Sequence, residues 1–338
     1  TRTALSGMQP EGWHDTASLP ERLSQAGYTT AGIVANAFIS AQLGMNRGFD
    51  HFTERHLGSA EEQVADALEF LSDNSDRDVA LMLHLMDPHL PYEEPEPYRS
   101  LWAGESLLPN RFGRNRLVKQ PDDDPALHQY VVDRYDQNIR YTDEALKPLL
   151  AELGRDDVVV FFSDHGEEFW EHGEVEHGHA LYDEVIKVPL MITGPGLTAA
   201  TLDAPVSLLD ITPTLLDLLG IEAEGLQGSS LVPLMRGEPG AAEALSQRVQ
   251  GFGRTLYGRT LWGTLQGTTK RIRFRKSIEA FDIAADPGEL AGTEAHPDAV
   301  QAGLTVALQR EVPDVWRMET LGTNKPVSYT HLTLPTSG

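Results

Sequence analysis

The sequence contains no cysteine, which excludes disulfides and thiolate metal sites among its residues and leaves the compartment open. Cations are scarce: 27 Lys and Arg stand against 51 Asp and Glu, a formal charge of -24. Such a molecule repels polyphosphate backbones and anionic membrane surfaces, so nucleic acid is not an expected partner. An anionic small substrate would need a local positive charge, from a metal ion or a few placed side chains. No run approaches the roughly 18–20 consecutive apolar residues of a membrane span, and none reads as a signal peptide. The His-Glu-x-x-His spacing of zinc proteases is absent from "HGEVEH" (172–177). A Gly-x-Ser-x-Gly elbow and the Walker or dinucleotide glycine loops are absent as well, and with them those chemistries.

An initiator Met is also lacking. The chain opens on Thr1 in mid-pattern, and an upstream segment is expected. At the other end, "VSYTHLTLPTSG" (327–338) breaks from the preceding composition and resembles a translated adapter tail. His331 is left out of the site reasoning on that ground.

The 338 residues fit two domains of roughly 150 residues, or one large domain with an appendage. Four short oily runs, Thr30–Ala35, Val79–Met86, Val158–Phe162 and Val188–Thr193, read as buried parallel strands. Between them Leu19–Ala26, Ala60–Leu71, Tyr130–Leu150 and Leu208–Leu219 space apolar residues at helical intervals. The alternation implies an α/β fold, a doubly wound and mostly parallel sheet with helices on both faces. Residues 1–237 are expected to form this α/β domain. From about Glu238 the sequence alternates and turns basic, which predicts a small C-terminal subdomain of antiparallel strands over 238–326. There the run Lys270–Lys276 reads as a solvated strand face, and Leu101–Pro125 reads as a long surface loop of the kind that shapes a binding site.

In a doubly wound sheet, ligands sit beyond the carboxyl ends of the strands. Asp164 and His165 follow one strand directly, and Asp87 and His89 follow another, so both clusters should emerge at one sheet edge. A carboxylate beside an imidazole suits a divalent cation with mixed oxygen and nitrogen ligands; the same pair also fits a helix-capping Asp beside an exposed His. His177 and His179, in "HGH", point to one side of an extended chain and could bind an oxyanion or protonate a leaving alkoxide. Pro88 and Pro91 restrict the backbone around His89. His84 reads as a satisfied core histidine, His172 as an idle loop residue and Asp87 as a turn former.

Eight pieces in order, from "LPERLSQAGYTTAGIVAN" and "HLMDPHLPY" through "VVVFFSDHGEEFWEHG" to "AFDIAADPGEL", resemble the sulfatase family of the alkaline-phosphatase superfamily. The resemblance implies a metal-dependent hydrolase of sulfate esters, acting on a small molecule or saccharide. Asp164 and His165 map onto the metal ligands, with Ca the first expectation and Mn, Mg or Zn as alternatives. His89, His177 and His179 map onto residues that contact the sulfate or protonate the leaving group. Arg2 maps onto the arginine that orients the nucleophile. That nucleophile, a Cys or Ser converted to formylglycine in active sulfatases, would fall immediately before Thr1 and leave this polypeptide without turnover. Asn36 stands near the lysine of a Lys-x-His pair that this sequence lacks, and would serve the substrate. Asp-His in place of Asp-Asn is more typical of relatives acting on phosphorus esters, so a phosphodiesterase or phosphonate monoester hydrolase is the alternative. A catalytically silent anion-binding homologue is another.

Overall fold

The computed structural model describes residues 17–303, apart from 57, 110, 120–123, 255–260, 275–276, 297–298 and 301. Arg2, the expected nucleophile position and the tail beyond Val327 lie outside the described residues.

The chain enters through α1 (Leu19–Gln25), whose start is fixed by a capping box: the Ser18 hydroxyl accepts from Glu21 N–H and the Glu21 carboxylate accepts from Ser18 N–H. Arg22 then ties α1 to the later chain by donating to the carbonyls of Glu222 and Glu224. Strand β1 (Thr29–Val34) lies between β2 (His51–Glu54) and β3 (Val79–His84), parallel to both. Its buried Thr-Thr-Ala-Gly-Ile-Val sequence suits a strand covered on both faces. Gly32 is required there, because a Cβ would stand 2.8 Å from the Phe52 ring.

Register puts Ile33 opposite Leu83. On that face they pack against Val64, Ala67, Leu68 and Leu71 of α2 (Ala60–Asp73) and Leu146 and Leu149 of a 28-residue helix, Pro125–Glu152. Asp124 begins that long helix by accepting from Ala126 and Leu127 N–H, with Pro125 in the first turn, where its missing donor costs nothing. It follows a short helix at Arg114–Leu117, so the two are α3 and α4. The segment read as a surface loop is anchored by Leu108, Phe112 and Leu117, all buried with Tyr92, Tyr130 and Val175.

The α/β architecture agrees with the sequence, but two of its strands differ. Strands β4 (Val159–Phe162) and β7 (Leu190–Thr193), expected to be buried and parallel, pair antiparallel with each other. Phe161, Phe162 and Met191 are exposed. Leu190 and Ile192 cover Leu231, Leu234 and Leu245 instead. Between them run the hairpin β5 (Glu168–Phe169) and β6 (Val175–Glu176) and the short helix α5 (Asp183–Ile186). Helices α6 (Ile211–Leu218), α7 (Val232–Met235) and α8 (Ala241–Gln247) lead to a five-stranded antiparallel sheet of β8 (Gln250–Arg254), β9 (Leu261–Gln266), β10 (Thr269–Arg273), β11 (Ile278–Asp282) and β12 (Thr293–Glu294).

The basic run in that sheet is not a solvated face. Lys270 and Arg273 on β10 are fully buried. Leu181 joins Ile272 and Phe281 in a common apolar cluster, so the sheet is packed onto the loop that precedes α5, and its cations are closed in with it. No helix among the described residues is long and apolar enough to cross a membrane.

Candidate active site

At the carboxyl end of β3 the chain passes through His84, Asp87 and His89, and at the end of β4 it releases Ser163, Asp164 and His165. Gly166 follows because the chain there crosses α5 at contact distance: a Cβ would sit 2.1 Å from the Glu184 carbonyl oxygen. The β5–β6 hairpin then returns the chain and delivers His177 between these two strand ends, which belong to separate sheets. Glu176 takes φ +72° and Gly178 φ +80°. The left-handed region is uncommon for a residue with a Cβ, and such strain gathers where side chains must be aimed.

Three imidazoles meet. The His165 and His177 rings stack with centroids 3.8 Å apart, and the His89 ring meets His177 edge-on at 5.0 Å. Each is tied through Nδ1: His165 to the Gly166 carbonyl at 2.9 Å, His89 to the Leu90 carbonyl at 2.5 Å, His177 to Glu167 Oε1 at 3.1 Å. A carbonyl or carboxylate only accepts, so Nδ1 carries the proton in all three and Nε2 is the atom left for other partners. Burial holds His89 below the ordinary imidazole pKa. Burial acts the same way on His177, but the hydrogen bond and charge of Glu167, with Glu176 and Asp164 behind it, outweigh burial and raise it. Buried Glu167 is itself oriented by the Tyr92 hydroxyl, 3.4 Å from Oε2.

His179 is placed differently. Its Nε2 lies 2.6 Å from Glu168 Oε2 and its Nδ1 3.4 Å from Arg114 Nη1, so both nitrogens are engaged by protein groups. Arg114 also reaches the Val175 carbonyl, Glu174 and Glu176. Asn36 lies just past β1, at the edge where Val34 pairs with His84, but its Oδ1 is turned into its own loop and accepts from Phe38 N–H at 2.9 Å.

The Asp164 carboxylate accepts from the His165 N–H at 3.1 Å, and Oδ1 stands 3.8 Å from His165 Nε2. An exposed carboxylate beside an imidazole whose Nε2 carries the lone pair is a fitting pair of donors for a divalent cation. Among the described residues no group of three or more His, Asp or Glu side chains is spaced to hold a metal ion. The pair therefore fits as part of a coordination sphere and not as a whole one.

Two readings of the sequence change. His84 is not a satisfied core histidine: its Nδ1 is buried without a hydrogen-bond partner, and it lies within electrostatic reach of Asp164, His165 and His89. Its place as the last residue of β3, at the ligand edge of the sheet, was the available signal. His172 is not idle: it bonds Glu184 at 2.6 Å and stacks on Tyr182 at 3.5 Å. Sequence reasoning also missed Glu167 and Glu168, whose roles depend on partners about ten residues away.

The family model described as Sulfatase matches residues 2–221, and one described as the C-terminal part of N-sulphoglucosamine sulphohydrolase matches residues 171–315. The chain belongs to the sulfatase family. Within that family, of the alkaline-phosphatase superfamily, it is 32% identical over 276 residues to the choline-sulfatase of Rhizobium meliloti, covering 73% of this chain and 52% of that protein. A sulfatase of Formosa agariphila is 27% identical over 247 residues, covering 66% and 47%. The chain thus spans about half the length of these curated relatives. A structure solved with its substrate D-glucosamine-2-N,6-O-disulfate shares the fold, with a TM-score of 0.64 at 19% identity over 94% of this chain and 84% of that one.

Proposed function

We propose that the site serves metal-dependent hydrolysis of sulfate esters, with His177 as the proton donor to the leaving alcohol. The observation that carries this reading is the placement of His177 between His165 and His89, with Nδ1 bound to buried Glu167, in a chain that matches the sulfatase family. As the attacking oxygen bonds to sulfur, the bond to the ester oxygen breaks and its electron pair passes to that oxygen, which needs a proton. Glu167 favours the charged form of His177, so the ring can hold a proton at Nε2 and release it there. His89, kept neutral by burial and already donating through Nδ1, offers a lone pair at Nε2 and fits as an acceptor from substrate. His179, with both nitrogens engaged, supports the loop.

Asp164 and His165 would hold the cation, calcium first, with manganese, magnesium or zinc as alternatives. When bound, it would supply positive charge for the non-bridging oxygens that an acidic chain otherwise repels. Arg2, which the resemblance maps onto the arginine that orients the nucleophile, lies outside the described residues. One relative is a choline-sulfatase and one structural neighbour holds a glucosamine disulfate, which supports a small-molecule or saccharide sulfate as substrate. The Asp164-His165 pair favours a second reading, a phosphodiesterase or phosphonate monoester hydrolase of the same superfamily.

The test is hydrolysis of 4-nitrophenyl sulfate and of two phosphorus-ester probes, bis(4-nitrophenyl) phosphate and 4-nitrophenyl phenylphosphonate, by the product of the whole open reading frame, with and without added calcium. The sulfate ester is expected to turn over at least about tenfold faster in kcat/KM. A reversed ratio selects the phosphorus-ester reading. Absence of both activities in a folded product overturns the hydrolase.

A further inference from the structure

Lys270, Asp183 and Glu289 meet behind the site loop and do not belong to the chemistry just described. Lys270 on β10 is fully buried. Its Nζ donates to Asp183 Oδ1 at 2.7 Å and lies 2.8 and 2.9 Å from the two carboxylate oxygens of Glu289. Glu289 in turn accepts from the Asp183 N–H at 2.6 Å, and its carbonyl oxygen is 3.4 Å from His172 Nε2. Glu289 is buried and holds φ +50°, a left-handed conformation in a residue with a Cβ. From His172 the chain of contacts runs on: its N–H donates to Glu168 Oε1 at 3.1 Å, and Glu168 Oε2 meets His179 at 2.6 Å.

A buried ion pair is weak evidence for stability, because desolvation cancels much of its attraction and apolar residues of like volume often serve as well. What such a group does supply is position. Lys270 is fully buried and its ammonium is held between two carboxylates; these partners are the first residue of α5 and a strained residue that itself touches His172. Two ends of the segment Glu168–Glu184, the segment that presents His177 and His179, are therefore referred to one cation in the C-terminal sheet. Resting on the reading of that segment as the acid-bearing loop, we propose that Lys270 and Glu289 are positioning residues, through which the C-terminal sheet fixes the loop against His89 and His165. Lys270 acts through Asp183, and Glu289 through both Asp183 and His172.

The test uses the product of the whole open reading frame, compared with its Lys270→Met/Glu289→Gln double variant, which removes both fully buried charges at nearly constant volume and leaves Asp183, whose side chain is part-exposed, with Lys187 at 4.0 Å. Amide hydrogen exchange over 168–184 is expected to rise about tenfold or more, while exchange in β1 and β3 stays within about twofold. In the same variant, kcat on a sulfate ester should fall about tenfold with KM nearly unchanged, as a displaced acid requires. Should that variant not fold, Lys270→Arg, which keeps the charge but alters the reach, is expected to raise exchange in the same segment by about threefold. A rise shared equally by β1 and β3, or a folded variant with unchanged exchange over 168–184, overturns the proposal. So does a loosened loop with unchanged kcat. If the unaltered protein has no esterase activity, the reading of the site fails, and hydrogen exchange alone decides whether the sheet holds the loop.

Discussion

Glu167 and Glu168 are neighbours in the chain, both buried and each bound to a histidine, yet they serve different regions. Glu167 takes His177 on the side of the stacked imidazoles, with the Tyr92 hydroxyl at its other oxygen. Glu168, on strand β5, points the other way. It accepts from the backbone N–H groups of His172 and Glu174 as well as from His179. Two consecutive residues in an extended chain face opposite sides, so one turn of sequence supplies both an orienter for a reactive ring and a fastener for the loop that carries it. The number of donors decides which is which: a carboxylate that gathers backbone donors is committed to the fold, whereas one bound to a single ring and one hydroxyl can follow that ring's charge.

Exchanging the two rings would break this comparison most directly. His177→Gln in the product of the whole open reading frame is expected to lower kcat on a sulfate ester by about 10²–10⁴, with little change in Tm, because a general acid is lost while Gln can still donate to Glu167. His179→Gln should do the reverse, costing about 1–2 kcal/mol of stability through the weakened Glu168 bond and less than about tenfold in kcat. Steady-state kinetics and thermal melts on the two variants check both halves. Equal effects on rate would erase the distinction between the dyads.

Much of this arrangement was legible in the sequence, for reasons that are local. An oily run followed by Asp164-His165, and another followed by Asp87 and His89, put each cluster at the end of a strand, since strand ends and polar loops are written in adjacent residues; the two strands belong to separate sheets, and the clusters meet through the His89, His177 and His165 rings. The parallel β1 and β3 and the helices around them followed from the same periodicities. What could not be read is what depends on distant partners. Lys270 alternates with polar residues as a solvated strand would, and only its meeting with Asp183, 87 residues away, makes it a core residue. The antiparallel pairing of β4 and β7 escaped for a related reason. A short apolar run does not state its direction or its neighbour, and here Phe161 and Met191 remain exposed.

A third carboxylate sharpens the contrast between satisfied and unsatisfied burial. Asp87 Oδ2 is buried without a hydrogen-bond partner, and burial pushes the carboxyl's pKa up to about 6. A folded-state pKa above the ordinary 3.8 means the group's contribution is most favourable at low pH and is lost as pH rises through about 6. Asp87→Asn removes the penalised charge. It should therefore stabilise the protein by roughly 1–3 kcal/mol at pH 7.5, with the gain disappearing towards pH 4. Denaturant melts of the two proteins across that range decide the sign.

Glu168 should behave in the opposite sense, and by less. Burial alone would raise its pKa, but His179 and the two backbone donors outweigh burial and hold it below the ordinary 4.5. Its stabilising contribution is then complete above that value and is lost as pH falls through the folded-state pKa. Glu168→Gln keeps the shape and one acceptor oxygen but not the charge. The variant should be less stable than the parent by about 1–2 kcal/mol at pH 7, and the two should converge below about pH 4 as the parent itself becomes protonated. A difference that stayed constant from pH 7 to pH 3 would mean that packing, and not the charge shared with His179 and the loop amides, is what Glu168 contributes. The division between a loop fastener and a ring orienter would then have to rest on the His177 and His179 kinetics alone.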